Sequence, residues 1–352
     1  MKPSICLKMI KSVLKGNNAP FLLGGTGIGK SAIIRELAES LAGQREIVVD
    51  CIKPSDEEFG FIDFRLSLYE SVDLGGLPIA EQDGDVWVQK KAFLGNLPVS
   101  GEGLLFFDEY AQAHPSVQAV VGQLIYEKRL GEYQLPAGWK MVCAGNRASD
   151  RAGSNKLPSH VVGRTTLINF EHDSNDWITW AVSNDVHPDV LGFISYQPEW
   201  LNVFDAKTIT PQPSPRSWTR LSDTLKTEPP TEIWQPLAES DVGETAAIEF
   251  CSFVSLKDDV PNLDDIVNGK DVEVVDNIGL MYATVVALVT VIKESSDKVV
   301  GDYLKNSLAY IQQFPSPEYA IFFMMAVTSA NPSLKDTATF SQFKVDNQEL
   351  EV

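Results

Sequence analysis

Cysteine is scarce in this chain of 352 residues. The four present, Cys6, Cys51, Cys143 and Cys251, lie far apart, so neither a disulfide frame nor a cysteine metal site is expected. His114, His160, His172 and His187 show no ligand spacing either, which excludes a zinc motif of ordinary kind. Basic residues are outnumbered 29 to 48, for a net charge of −19. Residues 231–352 alone hold 20 acids and 7 bases. Such a balance repels phosphate and argues against a duplex-binding surface. It leaves two readings open, plain solubility or a surface for a basic partner. Long hydrophobic runs are also missing. The longest uncharged stretch, NIGLMYATVVALVTVI at 277–292, is shorter than the ~20 residues of a membrane span and reads as a buried helix. Lys8 and Lys11 interrupt the amino-terminal apolar residues, so no signal-peptide core forms. Ile5, Met9, Ile10, Val13 and Leu14 instead fit one helical face. A soluble cytoplasmic protein is expected, without internal repeats or low-complexity blocks.

Apolar residues make up 44% of the chain, enough for real cores, and the length suits two domains. Residues 1–172 alternate strand-like and helix-like segments. APFLLGG, EIVVDCI, GLLFFDE, WKMVCAGN and TTLINFE read as five strands. KSAIIRELAESLAG and HPSVQAVVGQLIYEKRL read as helices, the second opened by Pro115. This predicts an α/β domain, a parallel five-stranded sheet flanked by helices. Two interruptions read as hairpins: LGGLPIAEQDGDVWVQK, turning at Asp83 and Gly84, and RLGEYQLPAGWK. Residues 173–215 read as a linker whose proline-rich end opens a helix near Ser214 to Arg216. Residues 216–335 form a helical lid with acidic helices, at 234–256, 277–295, 299–313 and 317–330, and 336–352 read as a loose polar tail.

The chemistry concentrates in three places. GGTGIGKS, comprising Gly24, Gly25, Thr26, Gly27, Ile28, Gly29, Lys30 and Ser31, fits G-x-x-x-x-G-K-[ST] between a strand and a helix. Its glycines let backbone N–H groups converge on phosphate oxygens at a helix N-terminus. Lys30 is expected to reach the β- and γ-phosphates and Ser31 to bind Mg²⁺. In GLLFFDEY, Asp108 and Glu109 stand at the C-terminal edge of an apolar strand, where parallel sheets bind ligands. Asp108 is read as a holder of the Mg²⁺ shell and Glu109 as the base that polarises water. MVCAGN delivers Asn146 to the same edge, to orient that water. NKLP at 155–158 lacks the aspartate that reads guanine, having Pro158 there, so ATP is favoured over GTP.

These segments resemble the AAA+ ATPases, and within them the MoxR-like ATPases. GGTGIGKS is similar to Walker A, LLFFDE to Walker B and CAGN to sensor 1, and DLGGLP and PSPRSW fit the same group. The likeness spans residues ~5–222 and leaves the acidic end uncovered. It implies an arginine, given to the neighbouring subunit's γ-phosphate, just before the last strand. Arg164 occupies that place, although the usual phenylalanine after it is Thr165; Arg151 is the alternative. It also implies that Arg216, opening a lid helix, contacts phosphate in cis. The two hairpins would face a pore or client, with Leu77, Trp87, Tyr133 and Leu135 on them, although simple hairpin packing is the favoured account of any one of these side chains. The implied assembly is a homo-oligomer, usually a hexameric ring, that remodels a protein client, often with a von Willebrand factor A domain partner. A nucleic-acid motor or loader is the alternative, with Lys90 and Lys91 as local positive charge. A nucleotide-dependent scaffold is disfavoured because Glu109 and Asn146 are both in place.

Overall fold

The computed structural model describes residues 1–83, 86–92, 97–147 and 157–347; the side chains of Leu77, Trp87, Lys90, Lys91 and His160 lie outside the described set, as does Arg151. Two compact units divide the chain, Met1–His172 and Asp173–Val352.

The first unit runs α1 (Pro3–Lys15), β1 (Pro20–Leu23), α2 (Lys30–Ala42), β2 (Glu46–Val49), β3 (Glu58–Arg65), α3 (Ser71–Gly75), β4 (Leu77–Asp83), β5 (Val86–Ala92), β6 (Gly103–Asp108), α4 (Pro115–Glu127), β7 (Arg129–Leu130), β8 (Tyr133–Gln134), β9 (Trp139–Gly145), α5 (Ser159–Val162) and β10 (Thr166–Asn169). Its main sheet has six parallel strands in the order β10-β1-β9-β6-β3-β2, not the five expected. The unexpected member is β3. Its glycine and acidic residues are poor strand formers, beside the plainly apolar EIVVDCI. That segment supplies only β2, an edge strand whose Val49 is 64% exposed. The antiparallel pairs β4–β5 and β7–β8 form the two expected hairpins.

Residues alternate between the two faces of a strand, and β6 shows the result. Leu104 and Phe106 join the core under α1 and α2, with Ile10, Ile34 and Leu37. Leu105 and Phe107 join the opposite core under α4, with Val117, Val121 and Leu124. The buried stripe of α1 is Cys6, Ile10 and Leu14, one residue every helical turn; Ile5 is 49% exposed, outside the face expected for it.

Tyr133 and Leu135 take the packing role. Leu135 is buried in the α4-side core, and the Tyr133 hydroxyl donates to the Pro98 carbonyl at 2.9 Å. A hairpin this short has little apolar surface of its own and packs onto the sheet.

The second unit is helical: α6 (Ser174–Ser183), α7 (Pro188–Tyr196), α8 (Pro215–Leu225), α9 (Trp234–Val242), α10 (Glu244–Ser255), α11 (Leu263–Val267), α12 (Ile278–Glu294), α13 (Val300–Ile311), α14 (Glu318–Ala330) and α15 (Ala338–Asp346). Three expectations change. Residues 173–215 are no mere linker, since α6 and α7 place Ala181, Val190 and Phe193 in this unit's core. The helix expected over 234–256 breaks into α9 and α10 at Gly243, whose φ of +84° suits glycine. The expected polar tail contains α15, anchored by buried Phe340 and Phe343. No helix among the described residues is long and apolar enough to cross a membrane.

Candidate nucleotide site

The site forms where β1, β6 and β9 end. All three point the same way, so their C-terminal ends open onto one edge of the sheet. β1 passes at once into the glycine-rich turn. At Gly24 a Cβ would lie 2.7 Å from the Phe170 carbonyl and 2.8 Å from Ile28, so only glycine fits. Gly29, with φ +96°, starts α2, and a Cβ there would meet nothing within 4 Å. No side chain caps α2, and uncapped first-turn N–H groups suit an anion.

Lys30 is 8% exposed, and its ammonium is held in place by oxygen atoms from two loops. It donates to the carbonyls of Gly24 (3.0 Å) and Gly25 (2.5 Å) and to Asn146 Oδ1 (2.8 Å). The turn after β1 and the end of β9 are thereby joined through one cation. Ser31 Oγ donates to Asp108 Oδ2 at 2.8 Å. The strand period explains that pair: Asp108 follows Leu104 and Phe106 onto the α2 face, where Ser31 opens the helix.

Glu109 has a left-handed backbone, φ +56°, uncommon for any residue but glycine. Its N–H donates to Asp108 Oδ1 at 2.8 Å, which supports the turn. Its carboxylate accepts from Ser67 Oγ, on the 3₁₀ turn Leu66–Leu68 that follows β3. Tyr110 then locks α4 to the site: its hydroxyl donates to the Gln118 carbonyl at 2.6 Å, and Gln118 Nε2 returns a bond to the Tyr110 carbonyl at 3.0 Å.

Sequence reasoning missed Ser67 and Asp63, because both belong to the stretch around the unexpected β3. Asp63 lies on the face of Phe59 and Phe61, and its register partner Phe106 stands two residues before Asp108. Burial, reinforced by the Asp108 charge, pushes its carboxyl above the usual range. Its Oδ1 is buried with no hydrogen-bond partner among the described residues. A phenylalanine-rich strand carrying one inward aspartate was the signal available. The donor set suits magnesium, a hard cation that takes oxygen ligands and retains waters. Ser31 and Asp108 are brought together, and Asp63 is near enough to feel the Asp108 charge.

Two further candidates are arginines. Arg164 is exposed on the turn between α5 and β10. Arg216 is exposed in the first turn of α8, behind the Ser214 cap, whose Oγ accepts from Ser217 N at 3.2 Å.

No protein-family model matches the chain, and no curated protein does. Solved structures similar to it include a point mutant of Thermotoga maritima RuvB, 13% identical over 77% of this chain and 76% of that one, with a TM-score of 0.34. The T. maritima RuvB described as a Holliday junction branch migration motor is 12% identical over 77% and 78%, at 0.33. NtrX from Brucella abortus is 12% identical over 91% of this chain and 64% of that one, at 0.34. Likeness at that level says nothing about activity.

Proposed function

We propose that the chain is a MoxR-like AAA+ ATPase that hydrolyses ATP in an oligomeric ring, in the cytoplasm, and uses the energy to remodel or assemble a protein partner. The observation that carries the reading is the meeting of Lys30, Ser31, Asp108, Glu109 and Asn146 at one sheet edge, where Lys30 bonds Asn146 and Ser31 bonds Asp108 across strand ends and Glu109 N–H bonds the adjacent Asp108 carboxylate. A chance match to the glycine-rich pattern would not bring the other residues with it.

Each residue then has a task. The turn from Gly24 to Gly29 and the first turn of α2 hold the phosphates by backbone N–H groups, and Lys30 turns from its carbonyl and amide acceptors toward phosphate oxygen. Ser31 and Asp108 hold magnesium, which when bound neutralises phosphate charge. Glu109 orients and deprotonates the water that attacks the γ-phosphorus as the bond to the β-phosphate oxygen breaks, and Asn146 steadies that water. Arg216 answers the phosphate charge in cis. Arg164 of one copy completes the site of the next, stabilising charge that develops on the transferred group. A ring, with a hexamer as the expected size, follows from that shared site. The client, and a von Willebrand factor A domain partner, belong to the same reading.

The test is Glu109→Gln. Turnover should fall at least ~10²-fold while ATP binding and ATP-dependent assembly persist. Unchanged turnover would remove Glu109 and the hydrolytic mechanism together. Stimulation of turnover by DNA, lost at moderate salt, would favour a nucleic-acid motor instead.

A further inference from the structure

Helical spacing turns Val117, Val121, Leu124 and Ile125 of α4 into the core, and leaves Tyr126 62% exposed on the last turn. An exposed aromatic at that place contributes little to folding. What covers its ring is Arg164, with the guanidinium carbon 4.3 Å from the ring centroid.

The arginine's backbone is fixed beneath this contact. Arg164 N–H donates to the Val161 carbonyl at 3.0 Å, and the Thr165 hydroxyl reaches the same carbonyl at 2.9 Å. Thr165, the residue that departs from the family's pattern, thus helps to close the turn. The helix beneath Tyr126 is fixed as well, through the reciprocal Tyr110–Gln118 bonds at its other end. The neighbouring carboxylate, Glu127, feels the Arg164 charge but takes its hydrogen bonds from Gln123 (3.0 Å) and Arg129 (3.3 Å).

The choice of a ring over a carboxylate has a chemical consequence. An ion pair would neutralise the guanidinium and occupy its N–H donors, and both effects would have to be undone before it met phosphate. A ring face holds the cation through its quadrupole and uses none of those donors. Arg164 is therefore oriented yet keeps its charge and its hydrogen-bonding fork for a phosphoryl group.

We propose that Tyr126 is a positioning residue for Arg164, holding its guanidinium outward for the γ-phosphate bound to a second copy of this chain. This rests on the reading of Arg164 as the arginine shared between copies.

The test compares steady-state ATP turnover of the full-length chain with Arg164→Ala, Tyr126→Ala and Tyr126→Phe. Arg164→Ala should lower kcat by ~10³. Tyr126→Ala should lower kcat about two- to fivefold, the population ratio to which an exposed cation–π contact corresponds, with KM for ATP unchanged. Tyr126→Phe should retain the wild-type rate, because the ring face is kept. A mixed-ring measurement adds excess Glu109→Gln chain to Tyr126→Ala and, as reference, to wild type. The added copies carry intact Tyr126 and Arg164 into the sites that still turn over. The ratio of the two mixtures should therefore rise to about one, which local damage within the Tyr126→Ala copy would not allow. Wild-type turnover by Arg164→Ala would overturn the shared-arginine reading and this role with it. With Arg164→Ala impaired, three results would each overturn the role of Tyr126 alone: full activity of Tyr126→Ala, a Phe variant as slow as the Ala variant, or a deficit that persists in the mixed ring.

Discussion

Ser67 donates a hydrogen bond to the carboxylate of Glu109, joining the turn after β3 to the end of β6. The left-handed backbone of Glu109 aims its side chain at this partner. A carboxylate oxygen that accepts a hydroxyl's hydrogen bond is held away from any other hydrogen it could take. Ser67→Ala should therefore raise basal ATP turnover, by up to about tenfold if roughly half of a charged hydrogen bond's 1.5–3 kcal/mol is released. ATP affinity should not change. Phosphate release from Ser67→Ala and wild type at saturating ATP measures it, and a slower variant would show that Ser67 supports Glu109 rather than restrains it.

Gly60 and Gly103 are register partners on β3 and β6, and the Trp139 ring lies over both. A Cβ on Gly60 would sit 2.4 Å from the Trp139 ring, and one on Gly103 would sit 2.4 Å from the Gly60 carbonyl. Gly60→Ala should cost about 1–3 kcal/mol through overpacking. The denaturant midpoint of the full chain reads this directly, followed by a signal from the first unit such as nucleotide-dependent protection.

Phe343 is 3% exposed and packs in the core of the second unit. Phe343→Ala should destabilise that unit by about 3 kcal/mol, the usual cost of deleting a buried ring. Removal of residues 336–352 should do at least as much, whereas a loose tail would be dispensable. Chemical unfolding of both variants separates these outcomes.

His187 caps α7, its Nδ1 accepting from Asp189 N–H at 3.3 Å, and meets Trp234 edge to face at 6.0 Å. Burial holds its imidazole below the ordinary value of 6.5; Asp189 opposes that shift, while Lys257, Lys226 and Lys293 reinforce it. The unfolded chain therefore takes the proton first. Its contribution to stability is fully present above pH 6.5 and declines as pH falls through and below that value. His187→Asn keeps a capping acceptor and removes the titration, so it should flatten the fall in unfolding midpoint between about pH 7.5 and 5.5. An equal slope in both proteins would remove His187 as the cause.

Much of the first unit was legible along the chain because its signals are local. The turn from Gly24 to Ser31 joins a strand to a helix within one short stretch, and Asp108, Glu109 and Asn146 each close a visibly apolar strand. The helices α12, α13 and α14 could be read from apolar spacing alone. β3 was not legible, since Gly60 is tolerated there only because Trp139, far along the chain, fills its place. Nor was α15, whose two phenylalanines count for little until the second unit's core receives them.

Residue types and short spacings sufficed to propose the chemistry, because phosphate binding needs a particular backbone turn and a lysine that neighbours in sequence can supply. They could not say which side chains restrain or aim that chemistry. Ser67 reaches Glu109, Lys30 reaches Asn146 and Tyr126 reaches Arg164 only after a parallel sheet has carried distant segments to one edge or one helix end. Such contacts depend on strand order and on which face each residue takes, and both are set by the packing of the whole unit.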